Sequence, residues 1–281
     1  MALAAEAGLA RVVLEDGTEF HHCEAGEGRP LVFVHGGMGD WSSWQPQWAD
    51  FVRHYRCISY SRRFSSPNCN RMAFDDHSVR REAQDLAALL RAWSARPAIL
   101  VATSYGAYTA LQLALTEPDS VCALALTEPP VLPLADRVPG GRDARLQFER
   151  EVLAPADRAF RAGRAQEAVE LLTLGINGAG PGEAASPEGR ARRLRNAEAM
   201  RALALSNDPY PALDEAALAR LRVPTLLLTG EHTMPVHRAT TTALAQVMPA
   251  ARLLRLPDCG HGVHRDNPAA FNDAVLKFLG A

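Results

Sequence analysis

The chain has 281 residues, with thirty basic against thirty-two acidic side chains and a formal net charge of −2. That length suits one globular domain with an insertion, or two small domains. Hydrophobic residues make up 47% and charged residues 22%, a balance that excludes general disorder and argues against a nucleic-acid binder held by phosphate contacts. Lys277 is the only lysine, and the arginine bias reads as codon usage of a GC-rich genome rather than a binding feature. The five cysteines are scattered without a CxxC pair, which fits a reducing compartment better than a disulfide framework. No secretory signal pattern opens the chain and no apolar run approaches a membrane span, so a soluble, cytoplasmic protein with no membrane or nucleic-acid partner is expected.

In chain order, two short extended runs between Arg11 and Cys23 flank the turn signal Glu15-Asp16-Gly17-Thr18 and predict a hairpin. Short continuous apolar runs follow at 31–34, 57–60, 98–103, 121–126, 225–229 and 252–256. Runs of this kind suit strands buried on both faces of a parallel sheet. Between them, helical spacing covers 76–95, 105–115, 235–247 and 268–279. The alternation predicts an α/β fold with a mainly parallel sheet.

One stretch breaks the alternation. From about Pro133 to Pro224 no strand pattern appears, while helical patterns cover 142–153, 165–174 and 187–205. This predicts a helical cap, residues 133–213, inserted into a core made of 1–132 and 214–281. The Gly/Ala/Pro-rich piece 175–186 is expected to be a mobile link and the first site of limited proteolysis, and the arginine-rich run 190–195 a solvated helix face.

The passage richest in chemistry is Ile99-Leu100-Val101-Ala102-Thr103-Ser104-Tyr105-Gly106-Ala107, an apolar strand that passes through small-x-Ser-x-Gly straight into a helix. Such a turn projects a serine hydroxyl above the sheet as a nucleophile, beside the free N–H groups of the helix start. Taken alone, Ser104 reads equally well as a helix cap. His35-Gly36-Gly37 ends an earlier strand, and its glycines can aim the Gly37 N–H at a developing oxyanion, with the Tyr105 N–H as second donor. A plain tight turn is the alternative there. Near the C-terminus, Gly260-His261 follows the last apolar run, where a histidine can serve as general base. His21, His22, His54, His77, His237 and His264 read instead as surface residues, and no histidine cluster has metal-ligand spacing.

Together with Val223-Pro224-Thr225-Leu226-Leu227-Leu228-Thr229-Gly230, these segments make the chain resemble the α/β-hydrolase fold superfamily over nearly all of its length outside the cap. The resemblance implies an eight-stranded, mostly parallel sheet with helices on both faces, an inserted helical cap, and often a cofactor-free esterase or related activity. It also exposes a departure, because the usual position of the triad acid is occupied by Thr233. Glu128, Glu231 and Asp258 are the candidate substitutes. Glu128, at the end of the strand after the elbow helix, is favoured because some relatives carry their acid there; its alternative is to turn the chain before Pro129-Pro130.

The expected protein is therefore a serine hydrolase with Ser104, His261 and Glu128 as triad, acting on a small or medium, largely apolar ester or related acyl substrate. It would need no metal or cofactor, and a homodimer is left open. A C–C hydrolase or lyase, or a non-hydrolytic binding or biosynthetic protein on the same fold, is the competing expectation.

Overall fold

A computed structural model describes residues 3, 5, 8–71, 77–178 and 186–281. The expected helix start at Asp76 and the centre of the expected link, 179–185, lie outside the described residues.

The sheet begins with β1 (Ala10–Val13) and β2 (Glu19–Ala25), an antiparallel pair. Their loop closes as its composition dictates: Gly17 takes a φ of 80° and the Asp16 carboxylate accepts from the Thr18 N–H at 3.0 Å. Then come β3 (Pro30–Val34), β4 (Arg56–Tyr60), β5 (Ala98–Thr103), β6 (Val121–Thr127), β7 (Thr225–Gly230) and β8 (Arg252–Leu256). The order is β1-β2-β4-β3-β5-β6-β7-β8, with every pairing from β4 to β8 parallel.

From β3 to β7 the apolar runs carry no polar alternation because both faces of these strands are covered. The expected two-sided burial fails at β8, the edge strand, where only Leu256 is buried. Leu31 and Phe33 of β3 face one core and Val32 and Val34 the other; Ile99 and Val101 of β5 divide from Leu100 and Ala102 in the same way. The first core packs against α1 (Gln45–Phe51) and is rich in Trp44, Trp48 and Phe51. Phe271 and Val275 of the C-terminal helix complete it. The second core takes the apolar faces of α2 (Val79–Ala92) and α3 (Tyr105–Thr116).

Between β6 and β7 the chain is helical. It runs through α4 (Gly141–Phe148), α5 (Ala154–Arg161), α6 (Ala165–Asn177), α7 (Pro187–Arg195), α8 (Ala197–Ala204) and α9 (Glu215–Arg220). The expected helix over 142–153 instead ends in a π-helical turn, Glu149–Leu153, immediately before Pro155 of α5. Proline offers no N–H to the carbonyl four residues back, so the turn widens at that point.

The expected helix over 187–205 is two helices, broken at Asn196. Asn196 is fully buried; its amide donates to Asp40 and to the Arg192 carbonyl, each at 2.8 Å, and its carbonyl accepts from the Ser66 N–H at 2.8 Å. Tertiary hydrogen bonds thus override a continuous helical pattern. The arginine run is likewise not a purely solvated face, since Arg193 is buried and Arg195 pairs with buried Asp40 at 2.8 Å.

Three more helices close the chain: α10 (Pro235–Val247), α11 (Val263–Asp266) and α12 (Pro268–Leu279). Among the described residues, no helix is long and apolar enough to cross a membrane.

Asn196→Leu keeps the branched shape and heavy-atom count of the side chain and removes contacts that join the insertion to two core loops. It should lower the unfolding free energy by about 2–4 kcal/mol, because a buried amide N–H and a carboxylate lose partners. Urea unfolding measures this; an unchanged midpoint would contradict the joint as described.

Candidate active site

A parallel sheet of this order leaves a crevice outside the carboxyl ends of its central strands, where strand order reverses. The crevice lies beyond β3 and β5, whose neighbours in sequence lie on opposite sides. Five chain segments meet there.

β5 ends and α3 begins with only Ser104 between them, at φ 52° and ψ −125°. A positive φ is strained for a residue with a side chain, and such strain persists only where surroundings hold it. The Ser104 N–H is held by the Thr127 carbonyl at 2.7 Å, and its carbonyl accepts from the Tyr108 N–H at 3.0 Å. Gly106 is demanded by crowding: a Cβ there would lie 2.3 Å from the His35 carbonyl oxygen and 2.4 Å from that of Val34. Ala102, the departure on the strand side of the elbow, is fully buried, and its single methyl is accommodated.

Glu128 follows β6 with a φ of 44° and is fully buried. Its carboxylate accepts from the Thr229 hydroxyl at 2.7 Å, the Gly230 N–H at 3.0 Å, the Thr233 hydroxyl at 2.8 Å and His261 Nδ1 at 2.6 Å. Burial alone would push its pKa up; His261 and the hydroxyl donors outweigh this and hold it below the ordinary carboxylate value. Thr233, at the position where the resemblance implies an acid, is thus a donor to the Glu128 carboxylate. Glu231 and Asp258 are both exposed, and the Glu231 carboxylate accepts from the Asp258 N–H at 3.3 Å.

The carboxylate fixes His261 Nδ1 as the protonated nitrogen, which leaves Nε2 as a lone pair. Nε2 is buried and has no hydrogen-bond partner among the described residues. His261, Ser104, Gly37 and Tyr105 line one cavity of about 80 Å³. Tyr105 is the first residue of α3, so its N–H has no intrahelical acceptor. The arrangement can take a proton from a hydroxyl, orient the resulting imidazolium and place backbone donors around a developing oxyanion.

The Gly36-Gly37 turn has its own support. His35 Nε2 accepts from the Arg62 N–H at 2.9 Å, and Nδ1 lies 2.8 Å from the Gly36 carbonyl. Arg62 donates to the Gly36 and Gly37 carbonyls at 3.1 and 3.3 Å. It also forms a buried ion pair with Glu82 and lies over the Tyr105 ring at 5.3 Å. The ion pair is well compensated: against burial, Arg62 and His77 pull Glu82 down to about 2. The Arg62–Glu82 pair was invisible to sequence reasoning because its members are twenty residues apart on different elements.

Four histidines expected at the surface are buried: His22, His77, His237 and His264. His237 matters most here. Its ring stacks on His261 with centroids 4.2 Å apart and 29° between planes, and its Nε2 lies 3.2 Å from the Ile176 carbonyl of α6. Since a carbonyl only accepts, Nε2 carries the proton. Glu128, His237 and His261 offer ligand atoms within 4.8 Å of one another, a possible metal set by distance alone. The four donors already on the Glu128 carboxylate make the arrangement suit a hydrogen-bonded relay better. Trp44 and Trp48 pack in the core away from the cavity.

Burial, followed by neighbouring positive charge, lowers both His35 and His237 from 6.5 to about 3. Each binds a proton in the unfolded chain below about 6.5 but in the folded protein only near 3, so stability falls as pH drops across that window. His237→Phe removes one such group. Between pH 6 and 4 the loss of unfolding free energy should become shallower, by up to about 1.4 kcal/mol per pH unit. Urea unfolding at several pH values tests it; an acid slope identical to wild type would refute the buried, neutral state.

The description "Alpha/beta hydrolase family" matches residues 31–274 of the chain. Among curated proteins, the chain is similar to the provisionally named carbamate hydrolase RutD of Klebsiella pneumoniae, 27% identical over 90% of this chain and 92% of that one. The Escherichia coli protein of the same name is 26% identical over 89% and 90%. Among solved structures, an enol-lactonase from Burkholderia xenovorans superposes with a TM-score of 0.77 at 20% identity, covering 97% of this chain and 100% of that one. An N-acyl homoserine lactone degrading enzyme superposes with a TM-score of 0.76 at 22% identity, covering 96% and 100%. A family match across both halves of the core, with the sheet order and strand-end crevice just described, makes this chain a member of the alpha/beta hydrolase family.

Proposed function

We propose that the protein is a serine hydrolase that cleaves a small or medium, largely apolar ester or related acyl substrate through an acyl-enzyme. The observation that carries this reading is the His261 ring. One nitrogen is bound to a buried carboxylate, and the other is a buried lone pair in the same cavity as a serine held at a strained strand-to-helix turn.

In this reading Ser104 Oγ attacks the substrate carbonyl while His261 Nε2 takes its proton. The oxyanion is held by the Gly37 and Tyr105 N–H groups. His261 then gives the proton to the leaving oxygen or nitrogen, and the acyl group stays on Ser104. Water, activated by the same nitrogen, releases the acid and restores the serine. Glu128 keeps the imidazole tautomer and stabilises the imidazolium as it forms. The helical insertion acts as the cap: Phe148, Leu172 and Met200 bring apolar walls to the cavity that holds Ser104. The hydrolase names of the relatives, carbamate hydrolase and lactonase among them, support attack on an acyl carbonyl as the shared chemistry.

A fluorophosphonate probe should label the wild type at Ser104 and leave Ser104→Ala unlabelled, with folding unchanged because only a hydroxyl is lost. Labelling that persists in Ser104→Ala would overturn the nucleophile. A binding protein on the same fold would show neither labelling nor turnover of any ester.

Glu128→Gln should lower kcat on a wild-type ester substrate by roughly 10⁴-fold, the loss seen when a triad acid is neutralised. Glu231→Gln and Asp258→Asn should stay near wild type, since both residues are exposed and outside the His261 network. Steady-state kinetics of the three variants decides between them. A collapse in either control with Glu128→Gln retained would move the acid elsewhere.

A further inference from the structure

The cavity at Ser104 is small. Its volume is about 80 Å³. A second chamber of about 270 Å³ adjoins it inside the helical insertion. Leu153, Leu172, Met200 and Tyr210 are walls of both. Beyond them the second chamber is mainly apolar, with Ala156, Phe160 and Leu203 in its lining, and carboxylates only from Glu149 and Asp157.

Met200, on α8, occupies the partition. Its sulfur lies against the oxyanion turn, so that a Cβ on Gly37 would be only 2.5 Å away. Methionine is unbranched and turns about three bonds, so it can move aside without displacing the backbone. The chamber's lining contains no histidine, whereas His261 and His237 line the first cavity. A leaving group must sit beside His261 Nε2 to be protonated, so an extension on the far side belongs to the acyl part.

Resting on the serine-hydrolase reading, we propose that the substrate carries a medium-length apolar acyl arm. The arm runs from Ser104 past Met200 into the second chamber, and Met200 is the gate. The arm gains affinity as its methylenes leave water, at about three- to fourfold per methylene. A substrate confined to the first cavity would gain nothing from such an extension.

The test is a series of p-nitrophenyl esters from acetate to octanoate, with kcat/KM measured on wild type, Ala204→Trp and Met200→Ala. Ala204 lines the second chamber and is only half-buried, so a larger side chain there can fill the chamber with little disturbance of the core. In the wild type kcat/KM should climb with acyl length. Ala204→Trp should cut the octanoate-to-acetate ratio at least tenfold, and Met200→Ala should shift the preferred length. Melting temperatures identify a misfolded variant, in which case labelling of the wild type by fluorophosphonates of increasing alkyl length gives the same reading. A flat wild-type series, or a ratio untouched by Ala204→Trp, overturns the chamber assignment. A preference that follows the alcohol moiety of alkyl acetates overturns the acyl assignment. Absence of turnover on every ester together with an unlabelled Ser104 is a different result, and it removes the serine-hydrolase reading itself.

Discussion

Everything at the site hangs on one buried carboxylate. A lone charge in the interior would cost several kcal/mol, and Glu128 is fully buried, so its position is tenable only with its lone pairs satisfied. Four donors from three chain segments do this: Thr229 and Gly230 at the end of β7, Thr233 in the following loop, and His261 after β8. The same bonds pin the carboxyl ends of β6 and β7 and the histidine loop to one point. Removing the carboxylate would therefore do more than cut one contact, since three buried donors and a histidine nitrogen would lose their acceptor together. Thr229 and Thr233 position the Glu128 carboxylate and through it His261, without reaching the cavity that holds Ser104.

The opposite wall is built by a different logic. The Gly36-Gly37 turn has no side chains of its own, so neighbours hold its backbone: Arg62 on the carbonyls, His35 beneath, and Gly106 packed against the His35 carbonyl. Both carbonyls of the turn are engaged by Arg62, and Gly36 and Gly37 line the cavity that also holds Ser104. The buried Arg62–Glu82 pair fixes the guanidinium where those carbonyls need it. Asp40 then joins this wall to the insertion through Asn196 and Arg195.

How much of this was legible depends on the range of the interaction. The central strands were readable because burial on both faces leaves continuous apolar runs, and the run at 98–103 matches β5 to the residue. The run at 252–256 also matches β8, although that edge strand is exposed except at Leu256. The elbow was readable because strand, Ser104 and Gly106 are contiguous. Glu128 could be favoured from its place at a strand end, but its partners could not, because Thr229 and Thr233 lie about one hundred residues away. Helix continuity failed at Asn196, where a residue tolerable in a helix is claimed by Asp40 and Ser66 across the fold. The histidines failed for a related reason. A histidine carries no local mark of burial, and His237 is interior only because α10 turns it between α6 and His261.

The contact of His237 with both α6 and His261 links the two halves of the site mechanically. The Ile176 carbonyl on the insertion holds the His237 ring, and that ring is stacked on the imidazole bound to Glu128. Because His237 stays neutral down to about pH 3, it adds no positive charge beside His261 at ordinary pH. A cationic neighbour at 4.2 Å would oppose protonation of His261, whereas a neutral aromatic face can support an imidazolium. Displacing α6 would remove the acceptor that fixes the His237 ring, and with it the support of the ring stacked on His261. The seating of the helical insertion and the orientation of the histidine are thus one structural variable.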